Sequence, residues 1–164
     1  MNNQTSSLEY SHFPVMLDEV LKISSPNTGK KFIDCTFGGG NYSKEILKIS
    51  QTLVKAIDRD RKALPIAENL KKKFPKRFEF FQIRFSDLDS IPDNNFDTII
   101  FDLGLSSIQL DDLNRGFSFK SNEKLNMKMG INEISALEAV NNLSEKDLKL
   151  IIKIFGDEKD ASRI

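Results

Sequence analysis

The sequence has 164 residues, with 24 basic side chains against 24 acidic ones, one cysteine and one histidine. This composition excludes an intramolecular disulfide and a cysteine-cluster zinc site, so we expect no metal. The balanced charge gives no strong attraction for nucleic acid. No apolar run approaches the roughly 18 residues that span a bilayer, and the polar N-terminus lacks the order of a secretory signal. We therefore expect a cytoplasmic protein with no membrane partner.

The first element is predicted to be a helix. Pro14 suits its first position, because proline has no N–H that would need a partner there. Apolar residues at helical spacing form the face expected to be buried. They are Val15, Leu17, Val20, Leu21 and Ile23.

Short β-rich runs then alternate with helical stretches, which predicts βαβ units and an α/β fold with a parallel sheet. The predicted strands are Lys31–Cys35, Leu53–Ile57, Phe78–Ile83 and Phe96–Leu103. The predicted helices are Asn41–Ile49 and Asp60–Lys73, with an irregular segment at Ser86–Ser90. The last strand is apolar enough for a buried, central place in the sheet.

The pattern after Leu103 holds no convincing strand and becomes helical. Ser135 with Glu138, and Ser144 with Asp147, fit the Ser-x-x-acid pattern of a helix N-terminus. The apolar positions of the last helix are Leu148, Ile151, Ile152 and Phe155, followed by Gly156 as a stop. A second module is therefore expected after the sheet.

A glycine-rich loop follows the first predicted strand, with the spacing Asp34-x-x-x-Gly38-x-Gly40. Glycines let the backbone approach a ligand, and the following helix offers free N–H donors. The spacing is not that of Gly-x-Gly-x-x-Gly, which disfavours a nucleotide-dependent oxidoreductase. A ligand-binding loop and a plain tight turn both remain open.

Two more carboxylates follow predicted strands. Asp58, after the second strand, suits a ribose diol, although it or Asp60 would equally serve as a helix cap. Asp102 follows the fourth strand, where a reactive group is expected in open α/β sheets. It is the candidate catalytic residue, and a structural carboxylate that binds loop N–H groups is the open alternative.

A cluster of five basic residues lies at the end of the predicted helix Asp60–Lys73 and in the turn after it. Contact with phosphates is one interpretation, and solubility with a favourable helix dipole is the other. The cluster comprises Lys71, Lys72, Lys73, Lys76 and Arg77.

Six motifs together resemble the ribosomal RNA small subunit methyltransferase H family. They are His12–Val20, Asp34–Ser43, Ile57–Asp60, Phe85–Leu88, Phe101–Asp112 and Arg115–Phe119. The resemblance implies methyl transfer from S-adenosylmethionine to N4 of a cytidine in 16S rRNA of the small ribosomal subunit. It also implies a Rossmann-like class I sheet in residues 1–110 and the beginning of a helical inserted domain in residues 111–164.

The resemblance further implies cofactor contacts. By matching position these are Gly40, Asn41 and Tyr42 in the loop, Asp58 at the ribose, Phe85 beside the adenine, and Asp102 and Gln109 near the methionine end. An aromatic face suits a purine.

The chain departs from the family pattern in three places. Asn41-Tyr42 stands where many relatives have Gly-His, and Leu125–Gly130 lacks two carboxylates and an arginine of the usual segment. Family members also continue beyond the position of Ile164. With the strand order 3-2-1-4, the fourth strand would be an open edge. We therefore expect a truncated chain. Its alternative role is a non-catalytic cofactor-binding fragment that needs a partner, and a homodimer stays open.

Overall fold

The computed structural model describes residues 15–25, 29–93, 95–131 and 134–164. Pro14 and His12 lie outside these ranges. The chain forms two compact units, the first ending at Ile108 and the second comprising Gln109–Ile164. Within the described residues, no helix is long and apolar enough to cross a membrane.

The first unit is built on a sheet of four parallel strands in the order β3-β2-β1-β4. The strands are β1 (Lys31–Asp34), β2 (Leu53–Ile57), β3 (Phe78–Phe81) and β4 (Thr98–Ile100). The predicted α/β class and strand order are confirmed. All four carboxyl ends therefore lie at one edge of the sheet, where the loops that follow the strands begin.

Three helices of the first unit cover one face of the sheet. They are α1 (Leu17–Ser24), α2 (Asn41–Lys48) and α3 (Leu64–Lys73). Ile46 and Leu47 of α2 are fully buried in a cluster with Phe32 and Val54 of the strands. Burial of such side chains contributes roughly 1.5–3 kcal/mol each, so this face supplies most of the apolar stabilisation.

The opposite face of the sheet is covered by the connection between β3 and β4 rather than by a full helix. This connection contains a 3-10 turn at Phe85–Ser90. Its Ile91 packs in a smaller cluster with Ile33, Cys35 and Ile57. The buried Cys35 therefore acts as a small apolar side chain.

The fourth strand differs from its predicted buried, central position. Among the described residues β4 pairs only with β1, and Ile99 and Phe101 are 50% and 47% exposed. The hydrophobicity of a strand indicates a preference for burial but does not show that a neighbouring strand is present. The prediction of a buried, central strand was therefore wrong. The expectation of an open edge is confirmed within the described part of the chain.

Several element ends also differ from prediction. Val15 and Ile23 are exposed, Ile23 by 85%, so only the middle of the predicted apolar face packs on the core. The helix predicted at Asp60–Lys73 divides into a 3-10 turn at Arg61–Ala63 and α3, which has proline in its first turn. Pro65 has no N–H to donate back into the preceding turn, which explains the division.

The second unit is helical in its later part. Helix α4 (Ser107–Asp111) contains the boundary between the units, a 3-10 turn spans Leu113–Arg115, and α5 (Ala136–Asn142) and α6 (Glu145–Phe155) follow. Ser135 and Glu138 form a reciprocal capping box, and Ser144 accepts from the backbone N–H of Asp147. Both predicted N-termini are confirmed, and Gly156 ends α6 as expected.

Candidate functional site

Two hydrogen bonds tie together the loops that follow β1, β2 and β4. The backbone N–H of Gly38 donates to Oδ2 of Asp58 at 2.7 Å. The backbone N–H of Asp102 donates to Oγ1 of Thr36, also at 2.7 Å. Loops that are disconnected in sequence therefore form one structure at the carboxyl edge of the sheet, where open α/β sheets bind ligands.

Asp34 lies at the base of this structure and is completely buried. Its carboxylate accepts from Oγ of Ser43 at 2.7 Å and from the backbone N–H of Thr36 at 3.2 Å. Burial raises the pKa of Asp34 to about 6, against the opposing effect of these two hydrogen bonds. The negative charges of Asp58 and Asp102 raise it further. Asp34 therefore anchors the loop after β1 through these hydrogen bonds, while its burial disfavours the charged form of its carboxyl group.

The glycine loop turns over the ring of Phe37. Gly38 and Gly40 both have positive φ angles, of 48° and 72°. The N–H of Gly40 donates to the carbonyl of Phe37 at 2.6 Å, and Gly40 leads directly into α2. A side chain at Gly40 would collide with the Phe37 ring, so this glycine is required by the turn itself.

Of the two roles that the spacing suggested, Asp60 takes the cap, and the ribose contact of Asp58 stays a prediction. Asp60 caps the 3-10 turn by accepting from the N–H of Lys62 at 3.1 Å. Asp58 accepts from the N–H of Asp60 at 2.8 Å with one oxygen and from Gly38 with the other. Burial raises the pKa of Asp58, while these backbone donors act in the opposite direction. Because a carboxylate has about four acceptor positions, Asp58 retains capacity for further donors.

Asp102 lies beyond the last residue of β4, and its side chain is exposed. The segment that continues from it approaches the glycine loop, because a Cβ built at Gly38 would lie 3.5 Å from Cβ of Ser106. The backbone of the candidate catalytic carboxylate is therefore held by Thr36 of the loop after β1, and its side chain is exposed.

Phe85 reaches the same edge from the connection after β3. Its ring packs edge-on against the ring of Phe101, with 5.7 Å between the centroids. Both rings are 47% exposed. The pair thus leaves aromatic surface uncovered at this edge, and Phe101 directly precedes Asp102 in the chain.

Of the remaining predicted contacts, one lies beside the glycine loop and two are buried. Asn41 begins α2 directly after Gly40. Tyr42 is buried in the core, and its hydroxyl donates to the carbonyl of Val15. Burial raises the pKa of Tyr42, and the charges of Asp102 and Asp34 raise it further. Gln109 is buried and belongs to the second compact unit.

The structure thus brings together Gly40, Asn41, Asp58, Phe85 and Asp102 at one edge of the sheet. It also reveals a residue that the sequence interpretation did not select. Thr36 has no recognisable pattern of its own, since its partner Asp102 is 66 residues away and becomes its neighbour only through the strand order.

Comparison with known proteins places the chain in a family. Residues 9–164 match the MraW methylase family. Ribosomal RNA small subunit methyltransferase H of Rickettsia canadensis is 43% identical over 96% of this chain and 51% of its own length. The protein of the same name from Rickettsia akari is 44% identical over 94% of this chain and 51% of its length. The chain thus spans about half the length of these curated relatives.

A solved structure was also found. It is the crystal structure of an rRNA methylase from Streptococcus thermophilus, whose sequence is 20% identical to this chain. The alignment covers 57% of this chain and 57% of that chain, with a TM-score of 0.46. The sheet order, the glycine loop after β1 and the carboxylates after β2 and β4 form the expected Rossmann-like methyltransferase fold. On the match over residues 9–164 and relatives above 40% identity, the chain belongs to the MraW methylase family.

Proposed function

We propose that the first unit binds S-adenosylmethionine for methyl transfer to ribosomal RNA. The observation that carries the proposal is the joining of the β1, β2 and β4 loops through Asp58 and Thr36 at the carboxyl edge of the sheet. The names of the relatives, which are small-subunit rRNA methyltransferases, support the reaction class.

Two of the predicted contacts, Asp58 and Phe85, have surroundings that support their proposed roles. The remaining acceptor positions of Asp58 suit the two hydroxyls of a ribose, because its bonds to Gly38 and Asp60 already fix its orientation. The exposed ring of Phe85 suits the adenine. Gly40, Asn41 and Tyr42 supply the loop and the start of α2, while Asp102 and Gln109 are assigned to the methionine end.

For the finer specificity, we propose the exocyclic N4 of a cytidine in 16S rRNA within the small ribosomal subunit. When bound, the cofactor supplies an electrophilic methyl group. The Asp102 carboxylate would accept a hydrogen bond from the amine and so direct the nitrogen lone pair toward that carbon. As the new N–C bond forms and the C–S bond breaks, the amine loses one proton, for which Asp102 is the acceptor.

The domain assignment is part of the proposal. Residues 1–110 are assigned to the cofactor-binding core and residues 111–164 to the beginning of a helical inserted domain. The cytoplasm is the proposed location, since that is where small ribosomal subunits are modified. A homodimer is proposed only as an alternative assembly.

One observation favours a second candidate function. The edge of β4 is unpaired among the described residues, and Ile99 and Phe101 are half-exposed there. Such an edge suits another polypeptide segment. The second candidate is therefore a cofactor-binding module without activity of its own, which requires a partner chain or further sequence for turnover.

Calorimetric titration of the folded chain with S-adenosylmethionine tests the proposal. Asp58→Asn should raise the Kd about 10- to 100-fold, the range expected for hydrogen bonds to a charged acceptor. Asp18→Asn is the matched control, because Asp18 is an exposed carboxylate of α1 that is not among the predicted contacts. Unchanged affinity in Asp58→Asn would contradict the site assignment.

Methyl transfer to small ribosomal subunits separates the two candidate functions. An active wild-type chain should lose more turnover than cofactor affinity in Asp102→Asn. Saturable cofactor binding without any transfer would favour the non-catalytic module. A folded chain that binds no cofactor would contradict both candidates.

A further inference from the structure

We infer that Thr36 is a positioning residue that fixes the backbone of Asp102 beside the glycine loop, an inference that rests on the proposed function. Thr36 itself need not touch the cofactor or the RNA. Its hydroxyl is the acceptor that holds the loop after β4 against the loop after β1.

The geometry of Thr36 suits this role from both sides. Its own backbone N–H donates to Oδ1 of Asp34 at 3.2 Å, so Thr36 is anchored to a buried carboxylate. Its Oγ1 accepts from the backbone N–H of Asp102 at 2.7 Å, a short and well-formed bond. The same Asp34 carboxylate holds Ser43 of α2. A buried group is thus connected through Thr36 to the candidate catalytic residue.

Asp102 depends on this bond because it lies just beyond the regular sheet. The N–H of Cys35 still bonds to the carbonyl of Ile100 at 2.9 Å, which is the last bond of this kind between the two strands. From Phe101 to Ser106 the chain has no helix or strand, and Gly104 has a φ of 147°. The hydroxyl of Thr36 therefore replaces the sheet as the support for Asp102.

The fixed position matters for the reaction that we propose. Methyl transfer requires the nitrogen, the methyl carbon and the sulfur to be aligned, and a displacement of about 1 Å can lower the rate about 100-fold. The exposed Asp102 side chain can rotate about its own bonds. The position of its carboxylate is therefore limited mainly by how firmly its backbone is held. Loss of the Thr36 hydroxyl should thus affect the site without removing any predicted ligand contact.

Three variants of Thr36 isolate the hydroxyl. Thr36→Val keeps the shape and removes the acceptor, Thr36→Ala removes both, and Thr36→Ser keeps the acceptor. Thr98→Val is the matched control, because Thr98 lies on β4 and its hydroxyl makes no hydrogen bond within the described residues. Thr36→Ala serves as the second variant without a hydroxyl if Thr36→Val does not fold.

Two measurements on the ¹⁵N-labelled 164-residue chain test the inference. The first is hydrogen exchange of the Asp102 amide, with the core amide of Ile46 as a report of global stability. We expect Asp102 to exchange about 3- to 10-fold faster in Thr36→Val, the range for one neutral hydrogen bond, while Ile46 is unchanged. The second is the Kd for S-adenosylmethionine, which should rise by a similar factor. Thr36→Ser should restore both values, and Thr98→Val should change neither.

The possible failures are distinguishable. Unchanged Asp102 exchange in Thr36→Val and Thr36→Ala would overturn the inference, whatever the cofactor affinity. Faster exchange with unaltered cofactor affinity would also overturn it, since the bond would then be purely structural. If the wild-type chain itself binds no cofactor while Asp102 exchanges faster in Thr36→Val, the failure lies in the proposed function. The positioning role would then fall with it.

Discussion

A Cβ at Gly40 would lie 2.6 Å from Cζ of Phe37, closer than carbon atoms approach in folded proteins. The Phe37 ring has little room to move, because it packs between Phe78 and Phe80 with centroid distances of 5.6 and 5.3 Å. Gly40 also has a φ of 72°. We therefore expect Gly40→Ala to lower the free energy of unfolding by about 1–3 kcal/mol.

The neighbouring glycine provides the control for this prediction. A Cβ at Gly39 would meet only Nδ2 of Asn41, at 3.7 Å, and Gly39 has no positive φ. Gly39→Ala should change the stability by less than about 1 kcal/mol in urea unfolding. Equal losses in the two variants would show that the Phe37 contact does not decide the turn.

The pH dependence of stability should carry the signature of Asp34. Its pKa is raised to about 6 in the folded chain, mainly by burial, and is 3.8 when solvated. Between these values the folded state binds more protons than the unfolded state, so stability falls as the pH rises. The free energy of unfolding should therefore decrease by about 2 kcal/mol from pH 4 to pH 6 through this residue.

Asp34→Asn isolates that contribution, because the amide does not ionise and still has one oxygen acceptor. The difference in unfolding free energy between wild type and variant should shift by about 2 kcal/mol in favour of the variant from pH 4 to pH 6. Glu138, whose pKa is lowered from 4.5 to about 2 mainly by the Ser135 hydroxyl, acts in the opposite direction up to about pH 5, and its effect cancels in this difference because both proteins contain it. A difference that stays flat between pH 4 and pH 6 would show that Asp34 does not titrate there.

Much of the first unit follows from local sequence patterns. The helices and strands around Ile33, Ile46 and Val54 were predicted in type and approximate length, because apolar spacing reports which face is buried. The order 3-2-1-4 came with the family resemblance. The glycine loop and Asp58 were found because they stand at fixed offsets after strands, where loop chemistry is readable from one segment alone.

What the sequence could not predict depends on partners distant along the chain. Nothing local distinguishes Thr36 as an acceptor for Asp102, or Ile23 as an exposed member of an apolar pattern. Tyr42 was predicted beside the cofactor by matching position, and its hydroxyl instead donates to Val15. That cofactor contact stays a prediction. Side-chain direction at a helix start depends on the segment that packs over it, and that segment precedes Tyr42 by 27 residues.

Arg77 should be a stabilising residue rather than a phosphate contact. Its guanidinium donates to the carbonyls of Leu47 and Ile49, both at 2.8 Å, and lies 4.8 Å from the ring centroid of Phe74. It thereby satisfies carbonyls at the end of α2 that have no partner within the helix. We expect Arg77→Met to lower the free energy of unfolding by about 1.5–3 kcal/mol, as for other hydrogen bonds from a charged group.

Lys73→Met is the matched control for Arg77. Lys73 is exposed in the last turn of α3, where a positive charge favours the helix dipole by only about 0.3–1 kcal/mol. Thermal unfolding of both variants should therefore separate them clearly. If Lys73→Met alone weakened binding of small ribosomal subunits in a filter assay, the phosphate interpretation of the lysine cluster would gain support.

Phe85 should contribute to cofactor affinity through its uncovered ring. Phe85→Leu keeps an apolar side chain of similar volume and removes the aromatic face, so the Kd for S-adenosylmethionine should rise about 3- to 10-fold, the equivalent of roughly 1 kcal/mol for an aromatic contact. Phe119→Leu, which changes a fully exposed phenylalanine of the second unit, is the control and should leave the Kd unchanged.

The contact between Phe85 and Phe101 will also be lost in Phe85→Leu. Phe101→Leu distinguishes the two effects: an equal rise in the Kd would mean that the pair acts as one surface, whereas a rise confined to Phe85→Leu would assign the stacking to Phe85 itself. An unchanged Kd in both variants would leave the pair a structural contact only, and the adenine would have to be placed elsewhere along the edge of the sheet.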